Sequence, residues 1–237
     1  MPILSRKTMK KLLLLLVTTY ALMANSLPQS VSTTVSNINN DGSIQLSSSV
    51  PKGMSGVIIH NYGNGLTAIT HSIITQEGAK ATVLPYTAMT HKNIPNIQTD
   101  VKVNDQVILG NFYNNVLLIA PNARSYENIS KSFQRTWIHP DAYAVDFMDE
   151  GDKAISLTSL KNFAEQNQVG LVLIVTQNRL RILDPISQQF LGEQSISGIG
   201  ANTMSPFFAR FNQTNVSLFD FSSTNYTPYY QAMEALK

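Results

Sequence analysis

After its first 26 residues, the chain alternates short apolar runs with polar turns as far as residue 120. The apolar runs recur at a spacing of roughly 8–12 residues, which is typical of a small β-barrel or β-sandwich. Turn-forming Gly, Asn and Asp residues separate them. The last run, residues 116–120, is continuously apolar, as in a strand that is covered on both faces. This pattern predicts a β-rich module over residues 27–120.

Helical spacing replaces this alternation after residue 120. Asn122 can cap a helix that carries Tyr126, Ile129 and Phe133 on one face. Two further helical stretches follow, and the most β-prone run of the chain, residues 169–176, then opens a meander of three strands. A loop and a short helix complete the sequence. The order of elements predicts an α+β fold class, in which a small barrel-like or sandwich-like module precedes a small α/β module over residues 121–237.

The first 26 residues carry a targeting pattern of their own. Four basic side chains precede an apolar core of about 13 residues, and small residues stand at Ala24 and Ser26. This arrangement is typical of a secretory signal peptide. An uncleaved membrane anchor is the alternative, but a membrane-spanning helix needs about 20 apolar residues. We therefore expect export through the inner membrane, to the periplasm or the outer cell surface.

Composition and charge exclude several classes of function. The predicted signal segment holds four of the 17 basic residues and none of the 15 acidic ones, so the remaining chain has a net charge of −2. A chain without a basic block is a poor candidate for binding nucleic acid or anionic lipid. The absence of cysteine excludes disulfides, thiol catalysis and thiolate metal sites. A cysteine-free exported chain fits a Gram-negative envelope, and the part after residue 26 is expected to be soluble.

The side chains that could support catalysis or metal binding are scattered. No Gly-x-Ser-x-Gly motif is present, and no histidine pair has the His-x-x-x-His spacing of a metal site. The four histidines are His60, His71, His91 and His139. We predict no catalytic residues, no cofactor and no bound metal, and hence a protein that is not an enzyme.

Two further clusters are candidates for binding. The densest acidic patch lacks the alternating ligands and the closing Glu of a calcium loop, so a solvated helix end is the favoured interpretation. Its members are Asp146, Asp149, Glu150 and Asp152. A group of phenylalanines towards the end of the chain could form an aromatic binding surface, although such residues are more often core. The candidates for that surface are Phe207, Phe208 and Phe211.

Several segments, in this order and spacing, resemble one family. They are Lys-Val-Asn-Asp-Gln-Val at 102–107, Asn-Val-Leu-Leu-Ile-Ala-Pro-Asn at 115–122, Val-Gly-Leu-Val-Leu-Ile-Val-Thr at 169–176, Ser-Pro-Phe-Phe-Ala-Arg at 205–210 and Tyr-Tyr-x-Ala at 229–232. They resemble the N-terminal domain of the PgbA-type plasminogen-binding proteins of Gram-negative bacteria, and the resemblance covers residues 56–236.

The resemblance implies a protein with a signal peptide that binds host plasminogen at the cell surface through lysines. The residue it implicates is Lys237, because a terminal lysine offers an ammonium and a carboxylate at a defined separation. A periplasmic structural or assembly component of an envelope machine remains the alternative. A C-terminus that projects freely favours the binding protein, whereas one that packs against the phenylalanine-rich segment, residues 207–221, favours the envelope component.

The signal-peptide pattern predicts that the exported protein begins at or near Leu27. N-terminal sequencing of protein purified from the cell envelope will check this prediction. Recovery of protein that still begins at Met1 or Met9 would show that the segment is retained.

Overall fold

The computed structural model describes residues 27–86, 99–149, 154–197, 199, 202–210 and 226–237. The predicted signal segment lies outside the described residues. The described chain forms a closed six-stranded barrel and a separate five-stranded sheet with helices, which confirms the predicted α+β fold class.

The barrel is antiparallel throughout, with the strand order β1-β2-β5-β4-β3-β6, and β6 pairs back with β1 to close it. Gly56 of β3 is required for this closure, since a Cβ there would lie 2.5 Å from the carbonyl oxygen of Ile108. Full closure leaves the barrel without a free strand edge. The strands are β1 (Val31–Ile38), β2 (Ile44–Leu46), β3 (Ser55–Gly63), β4 (Leu66–Thr75), β5 (Lys80–Pro85) and β6 (Gln106–Leu109).

The second sheet has the order β11-β10-β9-β7-β8. Strand β7 lies between β9 and β8 and is parallel to both, whereas β9, β10 and β11 form the predicted antiparallel meander. Although β7 belongs to the range predicted as the β-rich module, its partners lie in the second sheet and none is in the barrel. The strands are β7 (Asn115–Ile119), β8 (Thr136–Ile138), β9 (Leu171–Val175), β10 (Arg179–Asp184) and β11 (Gln189–Ser195).

Four described helices cover the second sheet. Asn122 caps the first, because its side-chain oxygen accepts a hydrogen bond from the amide of Ser125 at 2.9 Å. Ser156 and Ser159 form a reciprocal capping box at the start of the third. The helices are α1 (Ala123–Ser132), α2 (Pro140–Asp149), α3 (Leu157–Asn167) and α4 (Tyr229–Ala235).

The barrel and helices α2, α3 and α4 pack on opposite faces of the second sheet. Val116 and Leu118 of β7 belong to an apolar cluster that includes barrel residues, and the apolar residues of α1 pack against the same cluster. Leu117 and Ile119 face the other way, into a cluster formed by α2, α3 and α4. This three-layer arrangement explains the continuously apolar sequence of β7, which is buried on both faces.

A buried carboxylate joins the barrel to the sheet. Asp184, at the end of β10, is fully buried and accepts five hydrogen bonds. Two come from the amide and hydroxyl of Ser55, where β3 enters the barrel, and one comes from the hydroxyl of Tyr113, each at 2.7 Å. Burial raises the pKa of Tyr113 above its ordinary value, and the Asp184 carboxylate raises it further, so the phenol remains a donor. The last two donors are the amides of Ile186 and Ser187.

Replacement of Asp184 by Asn is therefore expected to destabilise the protein by about 3 kcal/mol, because the amide group must face buried donors whichever way it turns. The Tyr113→Phe variant, which removes one donor to the carboxylate, should lose about 2 kcal/mol. Urea unfolding will measure both changes. Tyr62→Phe is the matched control, because its hydroxyl pairs with Thr99 at an exposed position and its loss should cost under about 0.5 kcal/mol. Equal stability of the Tyr113 and Tyr62 variants would contradict the claim that the hydrogen bonds of Asp184 stabilise the contact between barrel and sheet.

Candidate functional site

Helix α4 docks through one face on the second sheet. Tyr229, Ala232, Met233 and Leu236 are buried in the same cluster as Phe207. Since these positions follow helical spacing, the polar residues between them face outward. The last turn of the described chain is therefore packed rather than free, which is the arrangement expected of the envelope component.

Arg181 of β10 binds the carboxyl end of α4. Its guanidinium donates hydrogen bonds to the carbonyl oxygens of Leu236 at 2.9 Å and Met233 at 3.2 Å, which a helix of this length leaves without intrahelical partners. The same group lies 3.6 Å from the ring centroid of Phe190. Burial lowers the pKa of Arg181, while the nearby Glu193 carboxylate opposes that shift. These contacts fix the position of the backbone directly before Lys237.

A second arginine reinforces this contact from the surface. Arg179 pairs with Glu193 at 2.8 Å and with Glu234 of α4 at 3.2 Å. All three side chains are substantially exposed, so the pairs add little stability. They orient α4 on the strands.

Lys237 follows this docked segment and is exposed. Leu236, only 6% exposed, holds the preceding backbone against the core. The side-chain ammonium of Lys237 can therefore meet a partner in solvent, close to a rigid surface.

The predicted aromatic surface does not include Phe207 and Phe208, because the structure buries both side chains. Phe207 is fully buried between Tyr143 and Phe147, with a ring-centroid distance of 5.4 Å to the stacked ring of Tyr143. Phe208 is 5% exposed, and its ring lies against Tyr126. Phe211 lies outside the described residues. The core interpretation, which the sequence left open, therefore applies to these two residues.

His60 forms a buried pair that the linear sequence does not suggest. Its Nδ1 lies 2.6 Å from the Asp105 carboxylate, whose other oxygen accepts the amide of Lys102 at 2.8 Å. The pairing of Ile59 in β3 with Gln106 in β6 brings the two side chains together. Both partners are buried, and the pair links β3 to the turn that precedes its neighbouring strand β6.

His139 belongs to a different cluster, at the start of α2. The amide of Asp141 donates to its Nδ1 at 3.2 Å, which requires an unprotonated nitrogen. Burial lowers the pKa of His139, and this shift favours the neutral ring. The Asp141 carboxylate pairs with Arg210, at 2.6 Å from its Nε, and its other oxygen lies 3.2 Å from Nδ1 of His139. This cluster holds residues 202–210 against α2.

The remaining candidates do not converge on a metal site within the described residues. There, no group of three or more His, Cys, Asp or Glu side chains is close enough to hold a metal ion. Asp146 is half-buried and Asp149 is exposed at the end of α2. His91, Glu150 and Asp152 lie outside the described residues. No described helix is long and apolar enough to cross a membrane.

Comparison with known proteins shows the relationship of the chain. The family model described as "Plasminogen-binding protein pgbA N-terminal" matches residues 30–234. Two relatives, both named plasminogen-binding protein PgbA, come from Helicobacter pylori strains J99 / ATCC 700824 and ATCC 700392 / 26695.

Each relative is 30% identical over 169 residues, which cover 68% of this chain and 37% of the relative. The chain thus spans little more than one third of the length of these relatives. The match confirms the family resemblance seen in the sequence. Because the family model covers nearly all of the described residues, the chain belongs to the family of PgbA N-terminal domains.

Proposed function

We propose that this chain is an exported, non-enzymatic protein that binds host plasminogen, with Lys237 as a contact. Membership of the family supports this proposal, since the relatives are named for plasminogen binding. The signal-peptide pattern of the first 26 residues supports export to the periplasm or the cell surface. The observation that carries the choice of residue is the exposure of Lys237 directly after the buried Leu236.

The chemistry of a terminal lysine suits a charge-paired pocket. Its ammonium and its carboxylate can form separate charge-assisted hydrogen bonds, and the apolar stem between them can pack against an aromatic wall. Because Arg181 and Leu236 hold the preceding backbone, few residues have to be ordered when the complex forms. This lowers the entropic cost of binding compared with a free tail.

A structural or assembly role in the cell envelope is the second candidate. The packing of α4 against the cluster that contains Phe207 favours it, because the apolar face of the helix serves the fold. In that case, the ion pairs of Arg179 and the contacts of Arg181 would serve the fold alone.

Deletion of Lys237 from a chain that ends there should weaken plasminogen binding by roughly ten- to a hundredfold, since a charge-assisted pair is worth about 1.5–3 kcal/mol. Surface plasmon resonance with immobilised plasminogen will measure the change. A lysine analogue, 6-aminohexanoic acid, should compete with the unaltered protein. Thermal stability should be unchanged, because an exposed end residue contributes little packing.

Lys131→Ala is the matched control, because Lys131 is an exposed lysine far from α4 in the sequence, with a side chain 72% exposed. Its affinity for plasminogen should equal that of the unaltered protein. Equal binding with and without Lys237 would refute the terminal-lysine mechanism. Absence of binding in every form would favour the envelope component instead.

A further inference from the structure

A cleft of about 320 Å³ opens between the barrel and the second module. One wall comes from β3 and β4 of the barrel and includes Ser72. The facing wall comes from the end of α3 and the connection to β9, including Gln166 and Gln168. Phe112, in the loop before β7, lines it as well. The cleft therefore lies at the amino ends of the parallel strands β7 and β9.

At the opposite, carboxyl ends of these parallel strands, other parts of the same chain fill the space. Open α/β sheets usually bind ligands at the carboxyl ends of their parallel strands. Here the hydroxyl of Tyr229 lies 2.7 Å from the carbonyl oxygen of Val175 and 3.0 Å from that of Ile119, and so bridges the carboxyl ends of β9 and β7. The amide of Phe208 also binds the carbonyl of Ala120. The usual ligand position is thus filled by side chain and backbone.

The polar side chains that line the cleft, in the part of the chain that the structure describes, are uncharged with one exception. Ser72, Asn111, Gln166 and Gln168 contribute hydroxyl and amide groups, and Glu165 contributes a carboxylate. Among the described residues that line this cleft, none is Lys or Arg. Such a lining does not suit phosphate-bearing or other anionic ligands, which need cationic partners.

The amide and hydroxyl groups are available for a ligand. Within the described part of the chain, the side chains of Ser72, Asn111 and Gln166 make no hydrogen bond to another protein group. An amide side chain offers two donor hydrogens and an acceptor oxygen, so it can either donate a hydrogen bond to a hydroxyl group or accept one from it. Phe112, a residue that is 41% exposed, adds an apolar ring face.

The walls are held rigidly by close backbone packing. A Cβ on Gly170 would lie 2.1 Å from backbone atoms of Phe112, so the connection between α3 and β9 presses directly on the loop before β7. Gln168 adopts a left-handed conformation, with φ of 55°. Ser55, at the base of the cleft, is bound by Asp184. A preformed site loses little entropy on binding.

We propose that this cleft binds a small neutral saccharide. Its hydroxyls would pair with the amide groups, and the apolar face of a sugar ring would lie on Phe112. The volume is at the lower end of the roughly 300–1,000 Å³ of small-molecule sites, so the ligand is a mono- or disaccharide unit.

A peptide strand is disfavoured, because β3 and β4 are each paired on both sides and offer no free edge to extend. This site is independent of Lys237 and of plasminogen.

Titration of the purified, ¹⁵N-labelled protein with neutral disaccharides will test the proposal. The probes are cellobiose, maltose and diacetylchitobiose at millimolar concentrations, with glucose 6-phosphate as an anionic comparison. At least one neutral disaccharide should shift the amide signals of residues 110–113 and 164–169. Glucose 6-phosphate should shift them less.

Two variants should weaken that binding while leaving the rest of the spectrum unchanged. Gln166→Ala removes an amide partner and should reduce affinity about five- to tenfold, the effect of one lost hydrogen bond. Phe112→Leu keeps apolar bulk but removes the ring face, and should reduce affinity by a similar factor. Gln177→Ala, an exposed amide at the carboxyl end of β9, is the matched control and should bind as the unaltered protein does.

Three outcomes would overturn the proposal. The first is the absence of shifts at these residues with every neutral disaccharide. The second is equal affinity of the Gln166 and Gln177 variants for a disaccharide that does bind. The third is a stronger response to glucose 6-phosphate, or to a short peptide, than to the neutral sugars.

Discussion

The buried carboxylate of Asp184 is the contact on which the arrangement of this domain depends. A charge removed from water is tolerated only when it is fully hydrogen-bonded, and Asp184 meets that condition with donors from both modules. Ser55 supplies its amide at the first residue of β3, so the carboxylate also holds the point where β3 enters the barrel. The barrel also shares one apolar cluster with the face of the second sheet that packs against it, while a second cluster fills the space between the other face and helices α2, α3 and α4.

The contact between barrel and sheet at Asp184 also positions both candidate sites. The cleft exists only where barrel and sheet meet, and Ser55 and Ile186, which both donate to Asp184, line its base. β10 carries Asp184 at one end and Arg181 three positions earlier, so the strand that joins the modules also anchors α4 and thereby presents Lys237. Binding surfaces on this domain are thus placed by strands rather than by long loops.

The sequence predicted where strands and helices lie better than it predicted which of them pair or pack together. Periodicity located β7, the helix capped by Asn122 and the meander, because those features depend on residues close together in the chain. It could not assign β7 to the second sheet, since a buried strand looks the same with either set of partners. The contacts of Asp184 with Ser55, 129 residues away, and of His60 with Asp105 also depend on tertiary packing. Whether Phe207 is core or surface likewise depends on what packs against it.

Native-state hydrogen exchange tests the central claim, that the barrel and the sheet form one cooperative unit joined at Asp184. The slowest amides of β3 in the barrel and of β9 in the sheet should exchange with the same free energy of opening, equal to that of global unfolding. In the Tyr113→Phe variant, both values should fall together. Exchange of the β3 amides through a lower-energy opening, while those of β9 remain protected, would show that the modules unfold separately and would contradict this account.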